Sequence, residues 1–168
     1  MNGGTESHSI IKEYILPYAL PVLAAAVLFK IVFMLVFVPS GSMEPTLRTG
    51  SLHLVWHLPW VTGDKSPCRG DIAVFYSAEE GSYLIKRVIG LQGETVSITD
   101  GRVYIDGEVL EESYLPDNTG TAAGLQAQYT VPPGCIFVMG DNRGNSRDSR
   151  YLENPYIPLE SVAGILLF

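Results

Sequence analysis

Residues 14–38 run for 25 positions with one charged side chain, Lys30, and this stretch constrains the fold more than any other feature. A membrane-crossing helix needs about 20 consecutive apolar residues, so the length predicts a single span. The run changes character along its length. Its first part is rich in Ala and Leu, whereas Ile31-Val32-Phe33-Met34-Leu35-Val36-Phe37-Val38 is almost all β-branched, aromatic or large, which suits a buried strand. The expectation is a helix over residues 10–29, Lys30 reaching toward the interface, and a strand leaving the bilayer. Pro17 and Pro21 fall near the helix start, where a missing N–H costs least. A cleaved leader would open on a basic stretch, but Glu6, Lys12 and Glu13 precede the apolar run. Lys12 and the α-amino group are the only positive charges on the N-terminal side, so orientation is weakly encoded.

Beyond Pro39 the pattern is β. Seventeen glycines and 11 prolines in 168 residues are more than a helical bundle tolerates. Residues 51–56, 72–76, 83–91, 95–98, 103–105, 108–110 and 136–139 read as short strands between turn signals. Asp100-Gly101 and Asp106-Gly107 sit where hairpin turns belong, giving a three-strand meander. Residues 118–128 are small and polar and read as a mobile loop, closed by Pro132-Pro133-Gly134. The fold class expected is mostly β: a tail and single transmembrane helix over residues 1–30, then a compact antiparallel β-sheet domain over 31–168.

Net charge is −7, and the segment before Pro39 balances Lys12 and Lys30 against Glu6 and Glu13, so the acidic excess lies in the β domain. A nucleic-acid partner would want a basic face and is excluded. Cys68 and Cys135 are too few for a disulfide framework and too far apart for a metal-binding pair; outside the cytoplasm they could bridge each other.

Chemistry concentrates in three segments. Pro39-Ser40-Gly41-Ser42-Met43-Glu44-Pro45 makes a stiff turn just where the strand emerges, able to present one hydroxyl as nucleophile and the other as a donor. A serine nucleophile needs a base. His8 lies in the tail, and strand alternation sets His53 and His57 opposite Leu52, Leu54 and Trp56, facing solvent. The GxSxG and SxxK patterns are both absent. Lysine is left: Lys65 sits in a polar turn, but Lys86 lies in Tyr83-Leu84-Ile85-Lys86-Arg87-Val88 with Leu84 and Val88 on its own face. Apolar neighbours penalise the ammonium, and only the neutral amine takes a proton from serine. In the third segment, residues 139–150, Asp141, Arg147, Asp148 and Arg150 alternate in sign as a hydrogen-bonded support would, and Ser146 could hold a lysine amine. Taken singly, each has a plainer reading: a serine-rich turn, an edge-strand lysine, a solvated loop.

Together, Ser40-Gly41-Ser42-Met43-Glu44-Pro45-Thr46-Leu47, Gly70-Asp71-Ile72-Ala73-Val74-Phe75, Lys86-Arg87-Val88-Ile89-Gly90-Leu91 and Gly140-Asp141-Asn142-Arg143 with Asn145-Ser146 and Asp148-Ser149-Arg150 resemble the ordered boxes of bacterial type I signal peptidase. That family is a membrane-anchored serine protease that removes signal peptides from exported proteins. The resemblance implies Ser42 as nucleophile and Lys86 as general base. It makes Ser40 and the Ser42 N–H the oxyanion hole, Ser146 the residue orienting the Lys86 amine, and Asp148 and Arg150 supports. Val36, Val38, Leu84 and Ile85 match positions lining pockets for small residues before the cut. It further implies no metal or cofactor. The implied partners are exported preproteins, membrane lipid and the secretion translocon, with the catalytic domain on the extracytoplasmic face of the cytoplasmic membrane. Gln92, Glu94 and Gly144 depart from the common pattern. Two other readings stay open: a relative that matures one dedicated substrate, such as a pilin or plasmid-transfer protein, and a catalytically silent β domain that binds secreted proteins.

Overall fold

The computed structural model describes residues 16–63 and 67–167. Helix α1 (Leu16–Val32) runs directly into strand β1 (Phe33–Phe37). A 3₁₀ turn (Gly41–Met43) leads to β2 (Leu52–Trp56) and the short α2 (Leu58–Thr62). Then come β3 (Ile72–Ser77), β4 (Ser82–Gly90), β5 (Thr95–Thr99), β6 (Arg102–Ile105), β7 (Glu108–Val109), β8 (Gln128–Thr130) and β9 (Cys135–Met139). The described chain closes with β10 (Ile157–Pro158), a 3₁₀ turn (Leu159–Ser161) and β11 (Val162–Leu166).

These strands build a seven-stranded sheet in the order β1-β2-β11-β3-β4-β9-β10 and a four-stranded sheet in the order β7-β6-β5-β8. Every pairing is antiparallel. β3 is buried at every position but Tyr76, as a central strand covered on both faces must be. The two Asp-Gly pairs are the hairpin turns the sequence predicts: Asp100 and Gly101 have φ of 50° and 75°, Asp106 and Gly107 of 52° and 88°. Paired positive φ values match the twist of the flanking strands. One apolar cluster joins the sheets, packing Ile89, Phe137 and Met139 against Val96, Ile98, Val103, Tyr129 and Val131.

The transmembrane helix is a correction. Among the described residues no helix is long and apolar enough to cross a membrane; residues 10–15 of the expected span lie outside them. α1 has 17 residues, about 25 Å at 1.5 Å per residue, against about 30 Å of hydrocarbon core. The β-branched and aromatic part of the apolar run enters the sheet as the sequence predicts, with Phe33–Phe37 paired to Trp56 through Leu52, although Ile31 and Val32 stay in α1.

Three smaller expectations also change. β1 and β2 turn Leu35, Phe37, Leu52 and Trp56 outward, whereas His53 and His57 are half-buried; the alternation holds, but the face in solvent is the apolar one. The meander gains a fourth strand, β8, on β5. The loop over residues 118–128 is tied down, since Leu125 N–H donates to Arg150 O at 2.9 Å and Thr121 Oγ1 accepts from Arg143 Nη1 at 2.7 Å.

Candidate active site

Pro39 ends β1, and the chain turns at once through the 3₁₀ turn that holds Ser42. Met43 and Leu47 anchor this turn, each 1% exposed, in a cluster with Val38, Val55, Ile72, Val74 and Ile85. Ser40 keeps an extended backbone, and its Oγ lies 3.4 Å from Ser42 Oγ.

β4 delivers the partner. Lys86 is 3% exposed, and its Nζ lies 2.8 Å from Ser42 Oγ and 3.0 Å from Ile85 O. Desolvation by burial pushes the amine down from 10.5 to about 8, against the opposing pull of Asp148, Asp141 and Glu80. A fraction of the lysine is therefore neutral near pH 7–8. The neutral amine can still donate one N–H to Ile85 O, which leaves its lone pair toward Ser42 Oγ.

The segment after β9 closes the site from behind. Asp148 and Arg150 are fully buried: Asp148 Oδ1 accepts from Arg150 Nε at 2.9 Å, and Oδ2 from Arg150 Nη2 at 2.9 Å and from Gly140 N–H at 2.8 Å. A second fork binds the lysine's strand to the serine's turn. Arg87 donates to Asp141 through Nε at 2.8 Å and Nη2 at 2.5 Å, and Thr46 Oγ1 donates to the same carboxylate at 2.5 Å. Tyr114 caps that guanidinium, its ring centroid 3.9 Å from the Arg87 Cζ. Asn142 reaches the nucleophile turn twice, its backbone N–H donating to Ser42 O at 3.0 Å and its Nδ2 to Gly41 O at 3.0 Å.

Ser42, Lys86 and Ser40 thus meet. Ser146 comes alongside but does not bond Lys86; its Oγ is buried with no hydrogen-bond partner among the described residues. Val36, Val38 and Ile85 share one apolar cluster, while Leu84 packs against another with Ala73, Phe75 and Val88. Consecutive strand residues face opposite sides, which separates Leu84 from Ile85. His53 lies against Ser51 Oγ at 2.8 Å, and His57 Nδ1 against Ala163 O.

A family model described as signal peptidase, peptidase S26, matches residues 11–168. The chain belongs to the peptidase S26 family. It is 35% identical over 158 residues to "Signal peptidase I" of Pseudomonas aeruginosa, covering 72% of this chain and 56% of that one. It is 33% identical over 153 residues to "Signal peptidase I" of Bacillus licheniformis, covering 87% and 81%. The crystal structure of a signal peptidase I from Enterococcus faecalis is 38% identical with a TM-score of 0.50, over 61% of this chain and 98% of that chain. This S26 chain spans little more than half the length of the two Pseudomonas relatives it matches, 56% in each case.

Sequence reasoning missed two positions of this S26 site. Asn142 stood inside the fourth box of the resemblance with no role assigned to it. Gly140 had a sequence signal, a glycine closing a strand, which often marks close backbone approach.

Proposed function

We propose that the chain is a serine endopeptidase that removes N-terminal signal peptides from exported preproteins through a Ser42/Lys86 acyl-enzyme. The observation that supports it most is the buried 2.8 Å contact between Lys86 Nζ and Ser42 Oγ, in surroundings that bring the amine down to about 8. Neutral Lys86 takes the Ser42 hydroxyl proton as Oγ bonds to the scissile carbonyl carbon. The oxyanion is held by Ser42 N–H and Ser40 Oγ–H, where one donor is worth about 10²–10³ in rate. Collapse breaks the C–N bond; the leaving amine takes the proton from Lys86, and an ester on Ser42 remains. Water gives a proton to Lys86 as it attacks the ester, and that proton returns to Ser42 Oγ as the acid leaves.

Asp148 and Arg150 hold Gly140 and the Ser146 segment against the dyad. Ser146 stands beside Gly140 and orients the amine when its unpartnered hydroxyl turns toward Lys86; Val36, Val38 and Ile85 shape the pockets for small residues before the cut, with Leu84 on the opposite face of β4. The exposed apolar residues of β1, β2 and α1, among them Leu35, Phe37, Leu52, Trp56, Leu23 and Phe29, rest on lipid at the extracytoplasmic face of the cytoplasmic membrane. Both enzyme and membrane-held preprotein are then confined to one surface.

The test is cleavage of a preprotein with an Ala-x-Ala site by detergent-solubilised protein. Ser42→Ala and Lys86→Met lose cleavage, and the His53→Ala/His57→Ala double variant keeps it. A wild type that cuts no precursor in a broad panel overturns the general activity, and one that cuts a single precursor marks a dedicated maturation enzyme.

A further inference from the structure

The Ser42 N–H and the Gly41 C=O belong to one peptide unit. A trans peptide is planar with these groups pointing in opposite directions, so whatever fixes the carbonyl also aims the N–H. Gly41 has no Cβ, so side-chain sterics do little to stop this peptide from rotating. A half-turn would carry the N–H away from the reacting carbonyl and bring a carbonyl oxygen toward the developing negative charge.

Two donors stand against that rotation at Gly41 O. Glu44 N–H, at 3.2 Å, is part of the turn itself. Asn142 Nδ2, at 3.0 Å, comes from a residue 101 positions away. The Gly41 oxygen can only accept, so the Asn142 atom facing it is the amide nitrogen. The next peptide is held from the same residue, since Asn142 N–H donates to Ser42 O at 3.0 Å. Asn142 therefore grips the carbonyls on both sides of Ser42.

We propose that Asn142 is a positioning residue of the oxyanion hole, aiming the Ser42 N–H at the scissile carbonyl by holding the Gly41 carbonyl away from it. The inference rests on Ser42 being the nucleophile. It assigns Asn142 an effect on the transition state, with none on substrate pockets or on the lysine.

The variants are Asn142→Leu and Asn142→Ala, which remove the amide without adding charge and leave the backbone N–H in place. Cleavage is measured per folded molecule, counted by circular dichroism, beside two inhibitors: a peptide aldehyde, whose hemiacetal oxygen occupies the hole, and the product peptide. In both variants kcat falls about 10- to 100-fold, somewhat less than the loss from deleting a donor outright. The aldehyde loses affinity by a similar factor, while KM, product affinity and the pH midpoint of the rate stay at wild-type values. Wild-type kcat and aldehyde affinity in both variants overturn the inference. So does a parallel weakening of KM and product binding, which marks a merely structural role. Retained cleavage by Ser42→Ala strikes instead at the nucleophile assignment.

Discussion

A β-carbon placed on Gly140 would stand 2.2 Å from Ser146 Oγ and 2.5 Å from the Ser42 carbonyl oxygen. No real contact is so short, and turning the unpartnered Ser146 hydroxyl aside would not clear it, because Ser146 Cβ stands at 2.5 Å as well. The Ser42 carbonyl is held by Asn142 N–H, and Gly140 N–H is held by the buried Asp148. Gly140→Ala therefore pushes the nucleophile turn off the lysine. Expected are a loss of at least about 100-fold in peptide cleavage and an overpacking cost of about 1–3 kcal/mol in a chemical melt. Wild-type turnover by this variant would show that the turn can yield without separating the dyad.

The rate should follow the lysine. With the amine brought down to about 8, kcat/KM rises with pH and levels off above a midpoint near 8, the reverse of an acid-dependent profile. Glu80 pulls the amine upward from the exposed turn between β3 and β4, so Glu80→Gln moves the midpoint to lower pH. A midpoint near 6.5 that vanishes in the His53→Ala/His57→Ala variant would instead place a histidine in the rate-determining protonation.

Burying Lys86 costs stability. The unfolded chain keeps the lysine proton up to about 10.5, while the folded chain releases it near 8. Between these values the unfolded state binds more protons, so stability rises with pH there and the cost is fully present below 8. The difference corresponds to about 3 kcal/mol. Lys86→Met should be more stable than wild type at pH 7 by about 2–3 kcal/mol, with the gap closing toward pH 10.5. Urea denaturation at pH 7 and pH 10 measures this, and a variant weaker than wild type at pH 7 counts against the buried-amine account.

Leu35 and Phe37 are 64% and 55% exposed on the outer face of β1. Replacing both with Glu removes apolar contact with lipid while leaving the packed face of Met34 and Val36 untouched. Co-sedimentation with phospholipid vesicles should drop at least about tenfold, with cleavage of a short soluble peptide unchanged. Equal sedimentation of wild type and variant would move lipid contact to another surface.

Much of this was legible because it is local. Short apolar runs between turn signals marked β2 through β6, and the two Asp-Gly pairs marked the turns between β5, β6 and β7. Lys86 stood out as the one lysine of the β domain among apolar neighbours, and Ser42 as the hydroxyl in a proline-bounded turn. What escaped depends on distant partners. β8 is three residues long and exists because Thr95, Val96 and Ser97 pair with it; read alone, it belongs to a polar loop. Hydropathy counts apolar residues without fixing how many of them stay helical, and among the described residues α1 holds 17. The outward face of β2 was misassigned because alternation tells which residues share a side but not which side is wet. The two-fold grip of Asn142 joins residues about a hundred positions apart, beyond the reach of any short pattern.

β11 lies between β2 and β3, so within the sheet the strands that lead into the Ser42 turn are joined to the strands that carry Lys86 through residues 162–166. β2 and β3 each pair with β11, so the register between the serine's strands and the lysine's strands is set by a strand that carries neither group. A substitution that unseats β11 would therefore misalign Ser42 and Lys86 without touching either residue.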